Sequence, residues 1–342
     1  MIKVAIIRRG DVGGIDGVNR FIFTLADGME KLGHQVMVFG HHLTGNPSVL
    51  FGVNVKTGVV SDSGGVGYIK RMWEWYVKGS EILKEFEPDM IIANGVVPLK
   101  LKAFKVAVNH GNAIFELRKS RLKRWATKML YSTYDRVVCV SSKVASEMKE
   151  VGLMCDDIIP IPIMLENYNL EAEREALIMH VGTGQRKRAD ISVKAVEMLR
   201  NLGYDVKLVL VGPYEEERDW IIVKSACPDR ELRELYSKSL ALIYPSEWES
   251  FSYAVLEAQA CGTPVIAGPG VPDEALINGE TGFKVSSFNP KEYAEKLREL
   301  LEKRPLWEHM SREARKYVRN FDHLKIARRY AELLKRDVIE NI

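Results

Sequence analysis

The sequence predicts an α/β protein made of two doubly wound parallel-sheet domains. Three observations predict it. Short runs rich in Val and Ile alternate with amphipathic segments, and the alternation runs through the chain twice. Between the two series lies IPIPIMLENYNLEAERE (159–175), where prolines interrupt regular structure and the second half is acidic and weakly apolar. The length, 342 residues, fits about two domains.

The strand candidates of the first series are IKVAII (2–7), QVMVF (35–39), DMIIAN (89–94), FKVAVN (104–109) and RVVCV (136–140). Continuous apolar runs of this kind suit strands covered on both faces. Helical spacing falls near 16–32, 68–87, 119–134 and 141–151. The second series offers ALIMHV (176–181), VKLVLVG (206–212), WIIV (220–223), LALIYP (240–245) and PVIAG (264–268), with helical segments near 188–202, 229–238, 250–261 and 271–277. After about residue 286 the chain reads as nearly all helix. No repeat of solenoid length and no low-complexity tract interrupts it.

Bulk composition narrows the class. Hydrophobic residues make up 46% and charged residues 28%, so each half can build a core without disulfides or metal. Cys139, Cys155, Cys227 and Cys261 are scattered with no C-x-x-C pair, which argues against a zinc site or disulfide framework and fits a reducing cytoplasm. No apolar run approaches the roughly 18–20 residues that span a bilayer, and MIKVAIIRRG reads as a strand rather than a signal peptide. Charge is uneven: residues 1–165 hold 22 basic against 16 acidic side chains, the remainder 27 against 30. A basic first half suits an acidic surface or ligand, and random surface variation explains it too. Nucleic acid is not expected, because the basic residues are local and no recognised motif accompanies them.

Open parallel sheets bind ligands at the carboxyl ends of their strands, and two such sheets face to face would hold a ligand between them. The loops after the strands therefore carry the search. RRGDVGGIDG (8–17) lacks G-x-G-x-x-G, so a nicotinamide or flavin fingerprint is absent, but Gly13-Gly14 can bring backbone amides close to a ligand. A plain strand-to-helix turn explains it as well. In VNHGNAIF (108–115), His110 follows a strand end, where it can meet a sugar hydroxyl or phosphate or sit as a structural histidine. His34 and His180 read as structural. GTGQRKRAD (182–190) puts Arg186, Lys187 and Arg188 just before a helix N-terminus, an unfavourable place for cations unless something negative joins them. A diphosphate would supply that charge; the alternative is a solvated basic turn.

The densest stretch is PSEWESFSYAVLEAQACGTP (245–264). With a helix from about Ser250, Glu249 stands at the helix entrance and Glu257 two turns deeper, about 12 Å along. That is too far for shared metal coordination and suits the two ends of an elongated polyol. A carboxylate accepts two hydroxyl hydrogens, as a ribose diol offers. Taken alone, E-x7-E is only weakly specific.

Its surroundings are specific. Glu249-Ser-Phe-Ser followed by Leu256-Glu257-Ala-Gln-Ala-Cys-Gly-Thr-Pro-Val-Ile-Ala267 closely resembles the signature of the retaining GT-B glycosyltransferases of glycosyltransferase family 4, P-S-x-x-E-G-F-G then L-E-A-M-A-C-G-x-P-V-I-A. The resemblance extends through Gly13-Gly14, Leu32-Gly33-His34-Gln-Val36, Asp135-Arg-Val-Val-Cys-Val-Ser141 and Glu274-Ala-Leu-Ile-Asn-Gly-Glu-Thr-Gly-Phe-Lys-Val285. It implies the GT-B architecture, two Rossmann-like domains facing a central cleft: an acceptor-side domain (1–165) completed by a crossover helix at about 322–342, and a donor domain (166–321). It implies Glu249 on the donor sugar hydroxyls with backbone amides near Phe251 and Ser252, Glu257 on the ribose, and Lys187 with Arg186 or Arg188 on the diphosphate. It also implies Gly14 toward the donor and His110 toward the sugar. Ser250 and Ser252 stand where the family has glycine, and Gly182-Thr-Gly replaces its G-R-L.

The implied function is retaining, metal-independent transfer of a sugar from a UDP- or GDP-sugar to a hydroxyl of a glycan, lipid-linked or small-molecule acceptor. The setting would be polysaccharide or glycolipid biosynthesis in the cytoplasm. The nucleotide sugar is a co-substrate, and no cofactor or metal is expected. The alternatives are a nucleotide-sugar epimerase of the same fold, or a non-catalytic nucleotide-sugar-binding subunit. YIKRMWEWYVK (68–78) and LRKSRLKRWATKML (117–130), the second with six Lys/Arg and no acid, suit either a peripheral membrane contact or a solvated helix face.

Overall fold

The structure, a computed structural model, describes residues 1–342 except 15, 47–52, 62–66, 112–113, 169–171 and 341–342. The chain forms two compact units: Met1–Pro162 with Phe321–Ile342, and Ile163–Asn320.

Unit 1 starts with β1 (Lys3–Arg8), whose central residues Val4 to Ile7 are fully buried. Asp16 then caps α1 (Gly17–Lys31), its carboxylate accepting from the Val18 and Asn19 amides at 2.9 and 3.0 Å. Next come β2 (Gln35–Gly40), β3 (Lys56–Val59) and α2 (Tyr68–Glu74), which continues through a π-helical turn, Trp75–Gly79, into α3 (Ser80–Phe86). β4 (Met90–Asn94), β5 (Phe104–Asn109), α4 (Ile114–Lys119), α5 (Arg121–Tyr131), β6 (Arg136–Cys139), α6 (Ser142–Glu150) and β7 (Asp157–Ile158) follow. The sheet order is β3-β2-β1-β4-β5-β6-β7, and adjacent strands pair in parallel.

Unit 2 contains β8 (Glu175–Val181), α7 (Ala189–Asn201), β9 (Lys207–Val211), β10 (Ile221–Lys224), α8 (Asp229–Lys238), β11 (Ser239–Tyr244), α9 (Tyr253–Ala260), β12 (Val265–Ala267), β13 (Gly282–Lys284), α10 (Pro290–Glu302) and α11 (Arg304–Tyr317). Its order, β10-β9-β8-β11-β12-β13, is again parallel. The chain then returns to unit 1 as α12 (His323–Glu340), whose Ile326, Ala327, Tyr330 and Leu333 are fully buried. Gly28 lets α12 approach α1: a Cβ there would lie 2.7 Å from the His323 carbonyl oxygen.

Both sheets reverse their strand order once, unit 1 between β1 and β4 and unit 2 between β8 and β11. Such switch points open crevices at the carboxyl ends of the strands.

Three expectations need correction. Only Asp273–Ala275 of the expected 271–277 helix coils, as a 3-10 turn after Pro272. α9 begins at Tyr253 rather than near Ser250, so Glu249 lies in the preceding loop and the helical ruler between Glu249 and Glu257 does not apply. The expectation against a disulfide framework also needs correction: Cys139 and Cys155 are disulfide-bonded, their Cα atoms 5.9 Å apart, while Cys227 and Cys261 are free. Parallel pairing of β6 with β7 sets Cys139 opposite Ile158 and so brings Cys155 alongside, a proximity that spacing in the chain does not reveal.

Candidate functional site

At the unit 2 switch point the loops after β8 and β11 meet. Gly182 gives the room: a Cβ there would lie 2.8 Å from the Lys187 side chain. The Lys187 ammonium donates to Tyr244 Oη and to Glu249 Oε1, each at 2.5 Å, with the two charged side chains only 14% and 11% exposed. Glu249 Oε1 also accepts from Ser246 Oγ at 2.6 Å. The backbone holds this geometry from below, since Glu249 N donates to Gly270 O at 2.9 Å, and a Cβ on Gly270 would strike the Ser246 carbonyl.

Two of the three cations before α7, Lys187 and Arg188, are answered from within the chain. Arg188, at φ 55°, pairs with Asp190 at 2.9 Å and with Glu247 at 3.2 Å. The Asp190 hydrogen bond leads in raising the Arg188 pKa, and that with Arg188 leads in lowering the Asp190 pKa. Arg186 makes no ion pair among the described residues; its guanidinium lies 5.5 Å from the Trp248 ring centroid. Carboxylates of the same unit therefore supply the negative charge at Lys187 and Arg188, and Arg186 is left without an ion pair among the described residues. Beneath the loop, the fully buried His180 bonds Ser192 Oγ at 2.9 Å and Tyr214 Oη at 3.2 Å. Burial, then the Lys187 charge, lowers its pKa to about 3.

Phe251 is fully buried. Ser252 holds φ 114°, a conformation that favours glycine, while its hydroxyl caps α9 by accepting from Val255 N at 3.4 Å. Ser250, the other serine at a family glycine, is not in that region. On α9, Glu257 is 3% exposed and accepts from Tyr168 Oη at 3.2 Å and Tyr236 Oη at 3.5 Å. Sequence reasoning missed both tyrosines; nothing in the spacing of 168, 236 and 257 announces the contact. Arg174 and Arg315 close the other end of α9, both donating to the Cys261 carbonyl. The cavity beside the β8–α7 loop, ≈ 640 Å³, is lined by Gly184, Gln185, Arg188, Asp190, Tyr214 and Glu247 among others, and by none of Arg186, Lys187, Phe251, Ser252 or Glu257.

In unit 1, Gly13 takes φ 90° with its Cβ direction blocked by Gly45, so the fold itself requires that glycine. Gly14 meets only ordinary contacts, nearest Asn19 Nδ2 at 3.4 Å, and its carbonyl accepts from Asn19. His110 stands at the end of β5, edge-on to Phe21 and 2.9 Å from Asn94 Oδ1. An amide oxygen partner assigns the Nε2–H tautomer and leaves Nδ1 as an acceptor. Burial, then the Arg8 charge, lowers its pKa to about 4, so the ring is neutral near pH 7.

The two tryptophan-bearing basic segments form α2 with its π turn, and α4 with α5. Ile69, Trp73 and Tyr76 are exposed at helical spacing, as are Leu122, Trp125 and Met129, and α5 buries no residue. No described helix is long and apolar enough to cross a membrane.

Two Rossmann-like units with charged loops at their switch points define the GT-B class of fold. Residues 165–317 match the family of glycosyl transferases group 1 and residues 15–163 match glycosyltransferase family 4; the chain belongs to these glycosyltransferases. Among curated relatives, the D-inositol 3-phosphate glycosyltransferase of Thermobifida fusca is 34% identical over 159 residues, covering 40% of this chain and 36% of the relative. That of Frankia alni is 39% identical over 90 residues, covering 26% and 22%. The matched stretch is thus well under half the length of either relative. Among solved structures, sucrose-phosphate synthase from Thermosynechococcus elongatus superposes with TM-score 0.76 at 18% identity over 100% of both chains. Anabaena Alr3699/HepE in complex with UDP and glucose gives 0.73 at 14%, covering 98% of this chain and 100% of that one.

Proposed function

We propose that the protein transfers a sugar, with retention, from a nucleotide-diphosphate sugar to an acceptor hydroxyl, and that it does so without a metal. The observation that carries this reading is the buried Lys187–Glu249 pair at the unit 2 switch point, close in the chain to the α9 carboxylate Glu257. Family membership and the UDP and glucose held by the HepE neighbour support it.

In this reading Lys187 leaves Glu249 for the donor diphosphate, joined by Arg186. Glu249 turns to the sugar hydroxyls with the Phe251 and Ser252 amides, and Glu257 takes the ribose. The two tyrosines orient the Glu257 carboxylate. The bond from sugar C1 to the diphosphate oxygen breaks while the acceptor oxygen bonds to C1 on the same face, and the acceptor proton passes to the leaving diphosphate. Fixed cations stabilise the charge that develops there. Gly14 and His110 also act on the donor in this reading, His110 as a neutral hydrogen-bond acceptor. Unit 1 meets anionic lipid through the exposed faces of α2 and α5. An acceptor like that in the curated relatives' name, an inositol phosphate, is one candidate.

The test is a thermal-shift panel of UDP-, GDP- and ADP-sugars on the wild type and on Glu257→Ala. Stabilisation by one nucleotide class, lost in the variant, is expected. No stabilisation of the wild type by any of them would end the donor reading. Product from donor alone, without acceptor, would indicate epimerisation instead.

A further inference from the structure

Glu74 is the last residue of α2, yet its carboxylate is turned inward and the residue is only 4% exposed. Its Oε2 lies 2.6 Å from Nε2 of His41, which is fully buried just after β2. An ionised carboxylate only accepts, so Nε2 carries the hydrogen and Nδ1 faces the other way. There Asp11 Oδ1, from the loop after β1, stands 3.7 Å from Nδ1. The ring thus sits between a helix carboxylate and a loop carboxylate. Trp75, the next residue, opens the π-helical turn and is fully buried; its Nε1 donates to the Arg9 carbonyl at 3.1 Å. Gly79 makes room for that indole, since a Cβ there would lie 2.6 Å from it. The backbone of the same loop is stitched to the chain after β2. His41 N donates to Gly10 O at 2.9 Å, Val12 N to His42 O at 2.8 Å, and Thr44 N to Val12 O at 2.8 Å. Gly13 follows at φ 90° with Gly45 packed against it.

We propose that Glu74, His41 and Trp75 are positioning residues: they fix the backbone of residues 9–14 from α2 and so set how Gly13 and Gly14 meet the nucleotide sugar. The proposal rests on the transferase reading above, which puts Gly14 on the donor, and adds the side chains that hold it there. They act through the loop and not on the substrate. Stability alone is a poor reason for such a pair, because apolar residues of similar volume pack in a core as well or better than a buried carboxylate and its partner. What the pair supplies is a hydrogen bond of fixed length and direction, running from the helix to the strand end on which Gly10 is hung. Trp75 adds a second hold one residue further along, on the carbonyl of Arg9. Two adjacent residues at the step from α2 into its π turn thus reach the same loop by separate routes.

Hydrogen exchange read by peptide mass tests the hold on the loop. In Glu74→Ala the peptide covering residues 9–14 should exchange about tenfold faster, the loss of one charge-assisted hydrogen bond, with a much smaller change in the β5 peptide, 104–109. Glu74→Gln, whose amide oxygen still accepts from His41 Nε2–H, should restore slow exchange. Trp75→Phe keeps a ring and loses the N–H; it should loosen the same peptide, and it decides if Glu74→Ala fails to fold. Calorimetric titration with UDP-, GDP- and ADP-glucose tests the purpose. Whichever binds the wild type should bind Glu74→Ala about fivefold or more weakly and Glu74→Gln nearly as the wild type. Unchanged exchange in both Glu74→Ala and Trp75→Phe, exchange raised equally in the two peptides, or a loosened loop with unaltered donor affinity would overturn the proposal. A wild type that binds none of the three sugars loses the transferase reading, while faster exchange at 9–14 in the variants would still uphold the hold of α2 on the loop.

Discussion

The two switch points answer their positive charge to different degrees. In unit 2, Lys187 and Arg188 are each held by carboxylates of the same unit. In unit 1, Arg8, Arg9 and Arg71 line a cavity of ≈ 240 Å³; Asp16 answers Arg8 at 2.9 Å, and Arg9 makes no ion pair among the described residues. A self-paired lysine is a stable resting arrangement from which an incoming anion must win it, so the pair belongs to the stability of unit 2 as much as to any ligand. An arginine such as Arg9, with no ion pair among the described residues, adds less to stability and answers more to what binds.

The largest test of that contrast is Glu249→Ala. Removing one partner of a mostly buried pair leaves an uncompensated ammonium, with an expected loss of about 3–5 kcal/mol in urea unfolding. Lys187→Met in the same chain should recover most of it. A loss under about 1 kcal/mol would mean that the pair behaves as a surface contact, and the comparison would fail.

Acid titration comes next, because each unit has a neutral histidine near its switch point. His110 and His180 have folded pKa values near 4 and 3, below the ordinary 6.5. The unfolded chain takes up these protons first, so their contribution is complete above about pH 6.5 and declines as pH falls toward the folded values. Urea midpoints should drop through that window, by on the order of a few kcal/mol in all. Replacing His180 with Asn should flatten the drop, and an unchanged profile would exclude it as a source.

A smaller effect separates strain from fit. Ser252→Gly should stabilise by roughly 1 kcal/mol, because relief of the positive φ exceeds the few tenths that glycine costs at an N-cap. Destabilisation would mean that the serine hydroxyl outweighs the strain. Smallest in stability is Gly14→Ala, expected within about 0.5 kcal/mol of the wild type yet slower in transfer, since no contact among the described residues requires glycine there. Unaltered turnover would remove Gly14 from the donor site.

Much of the fold was legible because its strands are continuous apolar runs such as Val4 to Ile7 and Leu208 to Val211, a pattern that little else produces. β3, β7 and β13 escaped notice because KTGV is only partly buried, β7 has two residues and β13 has three. The site was legible as residue types and not as partners. Lys187, Glu249 and Glu257 were named, but Lys187 and Glu249 are 62 positions apart and their pairing follows from strand order. Tyr168 and Tyr236 had no signal at all. Arg8 and Arg9 stood in plain view at the end of β1, yet only the fold brings Arg71 of α2 beside them to line one cavity.

The return of the chain to unit 1 has a consequence for its birth on the ribosome. Ile163–Asn320 is synthesised between the bulk of unit 1 and α12. At about 5–20 residues per second, unit 1 waits roughly 8–30 seconds for the helix that covers α1. Through that interval the surface meant for Ile326, Tyr330 and Leu333 is bare to the cell, while unit 2 has its whole sequence and can close first. The N-terminal unit is the first begun and the last finished, so its nascent form is where a chaperone would find this protein.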